Sequence, residues 1–382
     1  MNNIIETGNR KQETGNRKQE TGNRKQETGN RKQETGNRVY FHPQASDANK
    51  YINLMQEAIS LAGYKIYQCK LKYDILNSSI IHLNWFAFVG TGLVRSTRTF
   101  LKKLLFLYAL RIFRKKIIFT LHNKTNHDVE NRNTKAMYLM VWLLKHSYKI
   151  IIHSTESISV IMKLTPDIDT SRIVYVPHPN YITAYHNMKH YTHYVKQNHE
   201  IVFLFLGLIR PYKNIEILLQ AANQLQGITD IHFLICGRGN EEYQAQLLSM
   251  IESRNVTADF RFIEDDEIPS LLELSDALIT PYNTESALNS GAANLAFSFG
   301  RTVIGTWTGT TRDVDESLVY CYDYTDDEAE HVSRLKDAIM KFYEDFKHDE
   351  ASVKAKGEKL REIMITEHSL EKVAEGLSKA YA

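Results

Sequence analysis

The chain has 382 residues, 43% hydrophobic and 24% charged, with a formal net charge of +2. No run of 18 unbroken apolar residues occurs, and no cationic start is followed by an apolar stretch, so neither a membrane span nor a secretory leader is expected and the expected location is cytoplasmic. Cys69, Cys236 and Cys321 lie far apart in apolar runs, which argues against a metal-binding spacing and for reduced thiols.

Taken in chain order, the first segment reads ETGNRKQ four times from Glu6 to Gln33, then a truncated ETGNR to Arg38. The unit contains no apolar residue, so its seven-residue period cannot form a coiled-coil seam, and its glycine weakens any helix. Residues 1–38 are expected to be disordered, with an interaction tail as the functional alternative. From Val39 short apolar runs alternate with helical periodicity. Strands are expected at VYFHP (39–43), YKIYQCK, SSIIHLNW (78–85), IIFTLHN (117–123), KIIIHS (149–154) and RIVYVPHP (172–179). Helices are expected over Asp47 to Ala62, Arg95 to Phe113, Thr134 to His146 and from Glu156.

The second half follows the same grammar: IVFLFLGL (201–208), a helix to Leu225, IHFLICGRG (231–239), a helix to about Arg254, then DFRFIE as a strand. Next come a helix over Ile268 to Ser275, ALITPY (277–282), a helix over Ser290 to Phe299, TVIGTW, LVYCYD and a helical, charged end from Asp326. Ile- and Val-rich strands separated by helices imply parallel sheets covered on both faces. The expected fold is α/β, two doubly wound Rossmann-like domains over residues 39–190 and 191–365, with ligands off the carboxyl ends of the strands. Residues 366–382 are expected to form a helix returning to the first domain. Charge divides the same way: Val39 to Lys189 carries 20 Lys and Arg against 8 Asp and Glu, and the chain from His190 carries 18 against 32.

In LGLIRPYKNIEIL (206–218), Arg210 and Lys213 follow a buried strand where a helix is expected to begin, and no acid occurs before Glu216. Unpaired N–H groups at a helix start beside two cations suit an anion; a solvated turn is the plainer alternative. A second such place is Asn289, Ser290 and Gly291 after ALITPY, where Gly291 admits an anion to the backbone and Ser290 can cap or donate. Two sites of this kind on one sheet edge suit a diphosphate.

The order GLIRPYKNIEILLQA, FLICGRG, FIEDDEIPSLLELSDALITPY, NSGAANLAFSFGRTVIG resembles the nucleotide-sugar half of a GT-B glycosyltransferase, close to the retaining family-four bacterial polysaccharide enzymes. The resemblance spans roughly Val39 to Ala382 and is most specific over 201–305. It implies a donor site of Gly207, Arg210, Lys213, Ile263, Glu264, Asn289, Ser290 and Gly291. Arg210 and Lys213 would hold the diphosphate, Ile263 and Glu264 would lie beside the base, and Ser290 with Gly291 would meet the distal phosphate or sugar. Ala287 and Leu295 stand where many members carry a Glu pair, and Leu208 where the family arginine often stands. In TLHNKTNHD (120–128), likeness to the family's His-bearing loop implies that His122 sits near the transferred sugar, with His127 and Asp128 as secondary or acceptor-side candidates.

Catalysis is then expected from His122, Arg210 and Lys213, by stabilising the departing nucleoside diphosphate. If the enzyme inverts, Asp128 or Glu130 is the natural base. No cofactor or metal is expected, only a UDP- or GDP-linked co-substrate; the D-x-D strings at Asp167–Asp169 and Asp313–Asp315 lie in expected loops. On the acceptor side, no acid occurs between Asp74 and Asp128, while nine cations from Arg95 to Lys124 interleave with Phe and Leu. Residues 95–116 can lie on an anionic membrane, which suits a polyprenyl-diphosphate-linked or cell-surface glycan acceptor on the cytoplasmic face of the membrane; the alternative is a core helix with a solvated basic face. Nucleic acid is not an expected partner. The rival functions are a nucleotide-sugar epimerase of the same fold and a binding protein without turnover.

Overall fold

The computed structural model describes residues 38–44, 49–67, 77–90, 92–124, 134–185 and 187–382. Residues 1–37 of the repeat tract, Cys69, His127, Asp128 and Glu130 lie outside the described residues, while Arg38, expected to be disordered with the tract, is instead the first residue of a strand because its backbone pairs with Lys65.

The chain folds into two six-stranded, all-parallel sheets. The first contains β1 (Arg38–His42), β2 (Lys65–Ile66), β3 (Ile80–Asn84), β4 (Lys116–Thr120), β5 (Lys149–Ile152) and β6 (Ile173–Tyr175), in the order β2-β1-β3-β4-β5-β6. Its helices are α1 (Lys50–Leu61), α2 (Leu93–Ile112), α3 (Thr134–His146) and α4 (Glu156–Leu164). The second contains β7 (Ile201–Leu206), β8 (Ile231–Cys236), β9 (Val256–Asp259), β10 (Ala277–Thr280), β11 (Thr302–Thr306) and β12 (Tyr320–Tyr322), in the order β12-β11-β10-β7-β8-β9. Around it lie α5 (Ile215–Gln224), α6 (Glu241–Ser249), α7 (Ile268–Leu274), α8 (Gly291–Ser298), α9 (Gly309–Arg312), α10 (Glu328–His348) and α11 (Glu350–Glu367). The doubly wound α/β architecture expected from the sequence is the one observed. Every residue of β3, β7, β8, β10 and β11 is buried, as strands covered by helices on both faces must be.

Two local expectations are corrected. The strand placed at DFRFIE lies earlier, at β9, in register with β8 from Phe233–Val256 to Cys236–Asp259. Pairing stops there because Gly237 turns the chain at φ +144, while Arg261 is drawn into ion pairs with Asp259 (3.1 Å) and Glu267 (2.7 Å). Second, Arg210 and Lys213 do not stand at an α-helix start. Pro211–Lys213 is a single 3-10 turn, Asn214 follows in the left-handed conformation (φ 52, ψ 47), and α5 begins at Ile215. Pro211 suits the first turn because it has no N–H to leave unpaired, and Asn tolerates the left-handed step. Asn214 is tied down by its Nδ2, which donates to the Pro281 carbonyl at 2.9 Å.

The two sheets present their carboxyl ends to a common cleft and interlock beside it. Leu288, from the loop after β10, is fully buried in the core of the first sheet, and Leu54 of α1 is buried among residues of the second. Asn123 and Ala287 form an antiparallel bridge, and the Lys124 N–H donates to the Ser286 carbonyl at 3.1 Å. Lys50 pairs with Asp265, and Asp313 accepts from the N–H and hydroxyl of Thr155. The last helix, α12 (Leu370–Tyr381), packs on α1, and Tyr381 Oη is bonded to His82 Nδ1 at 2.6 Å.

Candidate active site

The second sheet supplies one wall of the cleft. Gly207, directly after β7, has φ +141, and a Cβ there would lie 2.8 Å from Lys213 Nζ, so the glycine makes the space the ammonium occupies. Lys213 is 8% exposed; its Nζ lies 5.0 Å from the Tyr282 ring centroid and 5.4 Å from that of Phe205. Its backbone N–H donates to the Arg210 carbonyl at 3.0 Å, but among the described residues its Nζ has no ion pair and no hydrogen bond. Ring faces favour a cation but do not replace a counter-ion. Burial, with Arg210 second, pulls the Lys213 pKa down to about 8, which leaves it mostly charged at neutral pH. Arg210 is exposed beside it and forms no ion pair among the described residues. Two cations with no carboxylate partner among the described residues thus stand at the carboxyl end of a central strand, an arrangement that can hold an anion.

Next to Tyr282 in the chain order, the loop after β10 leads to α8. The Ser290 hydroxyl accepts from the Ala293 N–H at 3.1 Å, and its own N–H donates to Thr310 Oγ1 at 2.9 Å. Ser290 is thus the N-cap, which leaves the N–H groups of Gly291 and Ala292, without intrahelical partners, as the donors at this end. Ser290→Ala is expected to cost about 1 kcal/mol of stability, read by chemical denaturation, and Ser290→Asn to restore most of it. Asn289 reaches toward the other wall, its Nδ2 lying 3.5 Å from the His122 carbonyl, and its buried Oδ1 has no partner. Ala287 and Leu295 are both buried, so no carboxylate enters from those two places.

Farther along the sheet edge, Ile263 is buried and Glu264 exposed in the loop after β9. Beside them the guanidinium of Arg238, after β8, lies 4.9 Å over the half-exposed Phe262 ring. Neither Arg238 nor Phe262 was anticipated, although Arg238 directly follows the strand-end glycine of FLICGRG.

On the first sheet, the described residues packed around His122 are uncharged. His122, after β4, stacks on Trp85 with centroids 4.0 Å apart and packs edge-on to Tyr51. Its tautomer follows from its neighbour. Asn84 Nδ2 donates to the His42 carbonyl (3.0 Å), so Asn84 Oδ1 is the acceptor for His122 Nε2–H at 2.9 Å, and His122 Nδ1 is left with a lone pair. Burial first, then His153, His178 and His82, hold the His122 pKa well below the usual histidine range. The ring is neutral and able to accept a hydroxyl proton. Tyr51 is bonded to His153 Nε2 at 2.8 Å, and His178 lies 5.0 Å from the Tyr51 ring. These aromatic and imidazole groups were also missed, yet Trp85, His153 and His178 each follow a strand of the first sheet, as His122 does.

Three of the four D-x-D acids have structural partners: Asp169 caps the turn at Ser171, Asp315 caps the turn at Ser317, and Asp313 holds Thr155. Among the described residues no group of three His, Cys, Asp or Glu side chains is placed to hold a metal ion. The cleft therefore sets a cationic, amide-rich wall against one that offers neutral hydrogen-bonding groups and ring faces.

Residues 192–357 match the family described as glycosyl transferases group 1. A GDP-mannose:glycolipid 4-beta-D-mannosyltransferase of Xanthomonas campestris pv. campestris is 23% identical over 286 residues, 72% of this chain and 74% of that one. Among solved structures, the HepE protein of Anabaena in complex with UDP and glucose superposes with a TM-score of 0.61 at 12% identity, covering 89% of this chain and 98% of that chain. Sucrose-phosphate synthase from Thermosynechococcus elongatus superposes with a TM-score of 0.65 at 14% identity, covering 90% and 97%.

Proposed function

We propose that this chain, whose fold is GT-B and whose residues 192–357 match the glycosyl transferases group 1 family, is a glycosyltransferase that transfers a hexosyl group from a UDP- or GDP-linked sugar to a lipid-linked or cell-surface glycan. The observation that carries this reading is the unpaired, buried Lys213 ammonium facing the cleft beside Arg210. As the glycosidic bond breaks, charge grows on the departing diphosphate; Arg210, Lys213 and the first N–H groups of α8 stabilise it in a water-poor site, with no metal needed. Ile263 and Glu264 lie along the same strand-end row, where the base would rest. His122 Nδ1 accepts a hydrogen bond from a hydroxyl of the sugar and fixes its orientation. The donor classes are those named for the relatives: UDP for HepE, GDP-mannose for the Xanthomonas enzyme.

Retention is the stereochemical reading that requires no carboxylate base beside His122, whose described neighbours are Asn84, Trp85, Tyr51, His153 and His178. The β-linkage in the name of the Xanthomonas relative favours a second reading, inversion with Asp128 or Glu130 as base.

For the acceptor, α2 carries the argument. Phe100, Leu104, Leu107 and Leu110 pack inward, and Lys103 turns in to donate to the Phe86 and Phe88 carbonyls at 2.9 and 2.6 Å. The opposite face is not simply basic: Val94, Leu105 and Ile112 are 82%, 71% and 77% exposed among Arg95, Arg98, Lys102 and Arg111. Such a face suits peripheral contact with an anionic membrane from the cytoplasmic side. No helix among the described residues is long and apolar enough to cross one.

The test is to incubate purified protein with UDP- and GDP-sugars and a short-chain polyprenyl-diphosphate sugar, and to read the product's anomeric configuration by NMR. One nucleotide class is expected to yield a glycosylated lipid with the donor's configuration. A new nucleotide sugar without lipid product means an epimerase; binding with no turnover of any donor means a binding protein.

A further inference from the structure

A second electropositive cavity, of about 570 Å³, opens far from the cleft, at the amino-terminal ends of β5 and β6. Six of its lining residues matter: Arg111 from the end of α2, Lys145 and His146 from the last turn of α3, Ser147 and Lys149 leading into β5, and Arg172 just before β6. No carboxylate lines it. The acid within electrostatic reach is Asp169, whose carboxylate is engaged by the Ser171 N–H at 3.0 Å.

Neutral partners hold most of these cations in place. Arg172 donates to the carbonyls of Ser147 (3.1 Å from Nε) and Leu144 (2.8 Å), closing the end of α3. Lys149 donates to the Ser171 carbonyl at 2.9 Å, and Arg111 Nη1 donates to His146 Nδ1 at 2.6 Å. Carbonyls and a neutral imidazole position charge without cancelling it, so the summed field stays positive. Lys145 has no partner among the described residues. Ser147 borders the cavity, but it is 3% exposed and its Oγ is closed off from solvent, so the cations alone face a ligand.

We infer that this cavity is a phosphate-binding site separate from the donor site, with Lys145, Lys149 and Arg111 supplying charge to one tetrahedral phosphoryl group. Its rim continues into Ile112 and Phe113, 77% and 55% exposed, which assigns the phosphate to the headgroup of an anionic lipid whose chains lie against them. That assignment of source rests on the membrane reading of α2; the site itself does not.

Two titrations test it. In the first, inorganic phosphate is titrated calorimetrically into wild type, Lys145→Gln/Lys149→Gln, Lys145→Gln and Lys213→Ala, each checked for folding by its melting transition. The double variant is expected to bind about tenfold more weakly at this site and Lys145→Gln about threefold more weakly, as loss of charge-assisted hydrogen bonds implies. Lys213→Ala is expected to retain this binding. The Lys145 side chain has no partner among the described residues, so Lys145→Gln is not expected to unfold the protein, and its loss of affinity cannot be ascribed to misfolding. Wild-type affinity in both cavity variants overturns the site, as does disappearance of all phosphate binding in Lys213→Ala.

In the second, the same proteins are sedimented with phosphatidylglycerol and phosphatidylcholine vesicles. A headgroup site predicts phosphatidylglycerol-selective binding that the double variant weakens and inorganic phosphate competes away. If the double variant loses inorganic phosphate yet sediments like wild type, the lipid assignment falls and the site serves a soluble phosphate. If wild type binds neither vesicle, the membrane reading of α2 falls, while the phosphate titration still judges the cavity.

Discussion

Lys213→Ala is expected to lower kcat/KM for the donor about 100-fold or more while making the ligand-free protein more, not less, resistant to heat. Both effects have one origin. The ammonium is buried against Tyr282 and Phe205 with no counter-ion, so the empty protein bears a desolvation cost that a donor diphosphate relieves. The pKa of Lys213 is near 8 in the folded chain against an ordinary 10.5. Below pH 8 the group is charged in both folded and unfolded states, and folding carries the whole burial cost. Between pH 8 and 10.5 the unfolded chain binds more protons, so this group's contribution makes stability rise with pH; above that range both states are neutral. Donor affinity runs the other way, weakening as Lys213 loses its proton above pH 8. Melting temperature and donor titration across pH 7 to 10 check this: the wild type should show both trends, and Lys213→Ala should lack the Lys213 share of each. A variant that binds donor like the wild type, or that melts far lower, would remove Lys213 from the donor site.

Gly237→Ala is expected to cost about 4 kcal/mol or more, or to prevent folding, without adding or removing any polar group. Gly237 ends β8 at φ +144, where L residues are strained, and a Cβ there would lie 1.8 Å from the Gly207 carbonyl oxygen and 2.8 Å from its carbon. The obstacle is backbone on an adjacent central strand, and Gly207 cannot retreat because it shapes the space of Lys213. Gly227→Ala is the control, since nothing lies within 4 Å of a Cβ there and its φ is not positive; its effect is expected to stay within about 0.5 kcal/mol. Soluble yield and calorimetric melting separate the two. Near-equal stabilities would mean that the β7 and β8 ends can part.

The layered fold was legible because the strands are short Ile- and Val-rich runs buried on both faces, a pattern that needs no tertiary information. The thirteen residues of α3 were placed to the residue. The 3-10 turn at Pro211–Lys213 was not, because apolar spacing from Ile209 to Leu219 also suits one helix; Pro211 and Asn214, with its side chain on Pro281, decide otherwise. The position of β9 was hidden because PheArgPheIle alternates like a strand, while the ion pairs of Arg261 with Asp259 and Glu267 are visible only in three dimensions. At the site, Arg210, Lys213 and His122 could be read from strand ends. Tyr51 could not, since it lies on a helix and reaches the cleft only through the packing of α1. Nor could burial of Lys213: its charge suggests a surface residue, and the pocket for it is made by a glycine six positions earlier. For α2, the sequence could not choose between packing and membrane faces, because the helix has both.

The missing counter-ion at Lys213 also bears on what happens after the sugar has gone. A nucleoside diphosphate has one more acidic oxygen than the sugar nucleotide it came from, so on the proposed function a cradle of positive charge and amide dipoles would grip the spent carrier harder than the incoming one. Throughput then depends on how quickly that remnant leaves and is scavenged by its surroundings, which makes the catalyst a gauge of the ratio between charged and discharged nucleotide rather than of either alone.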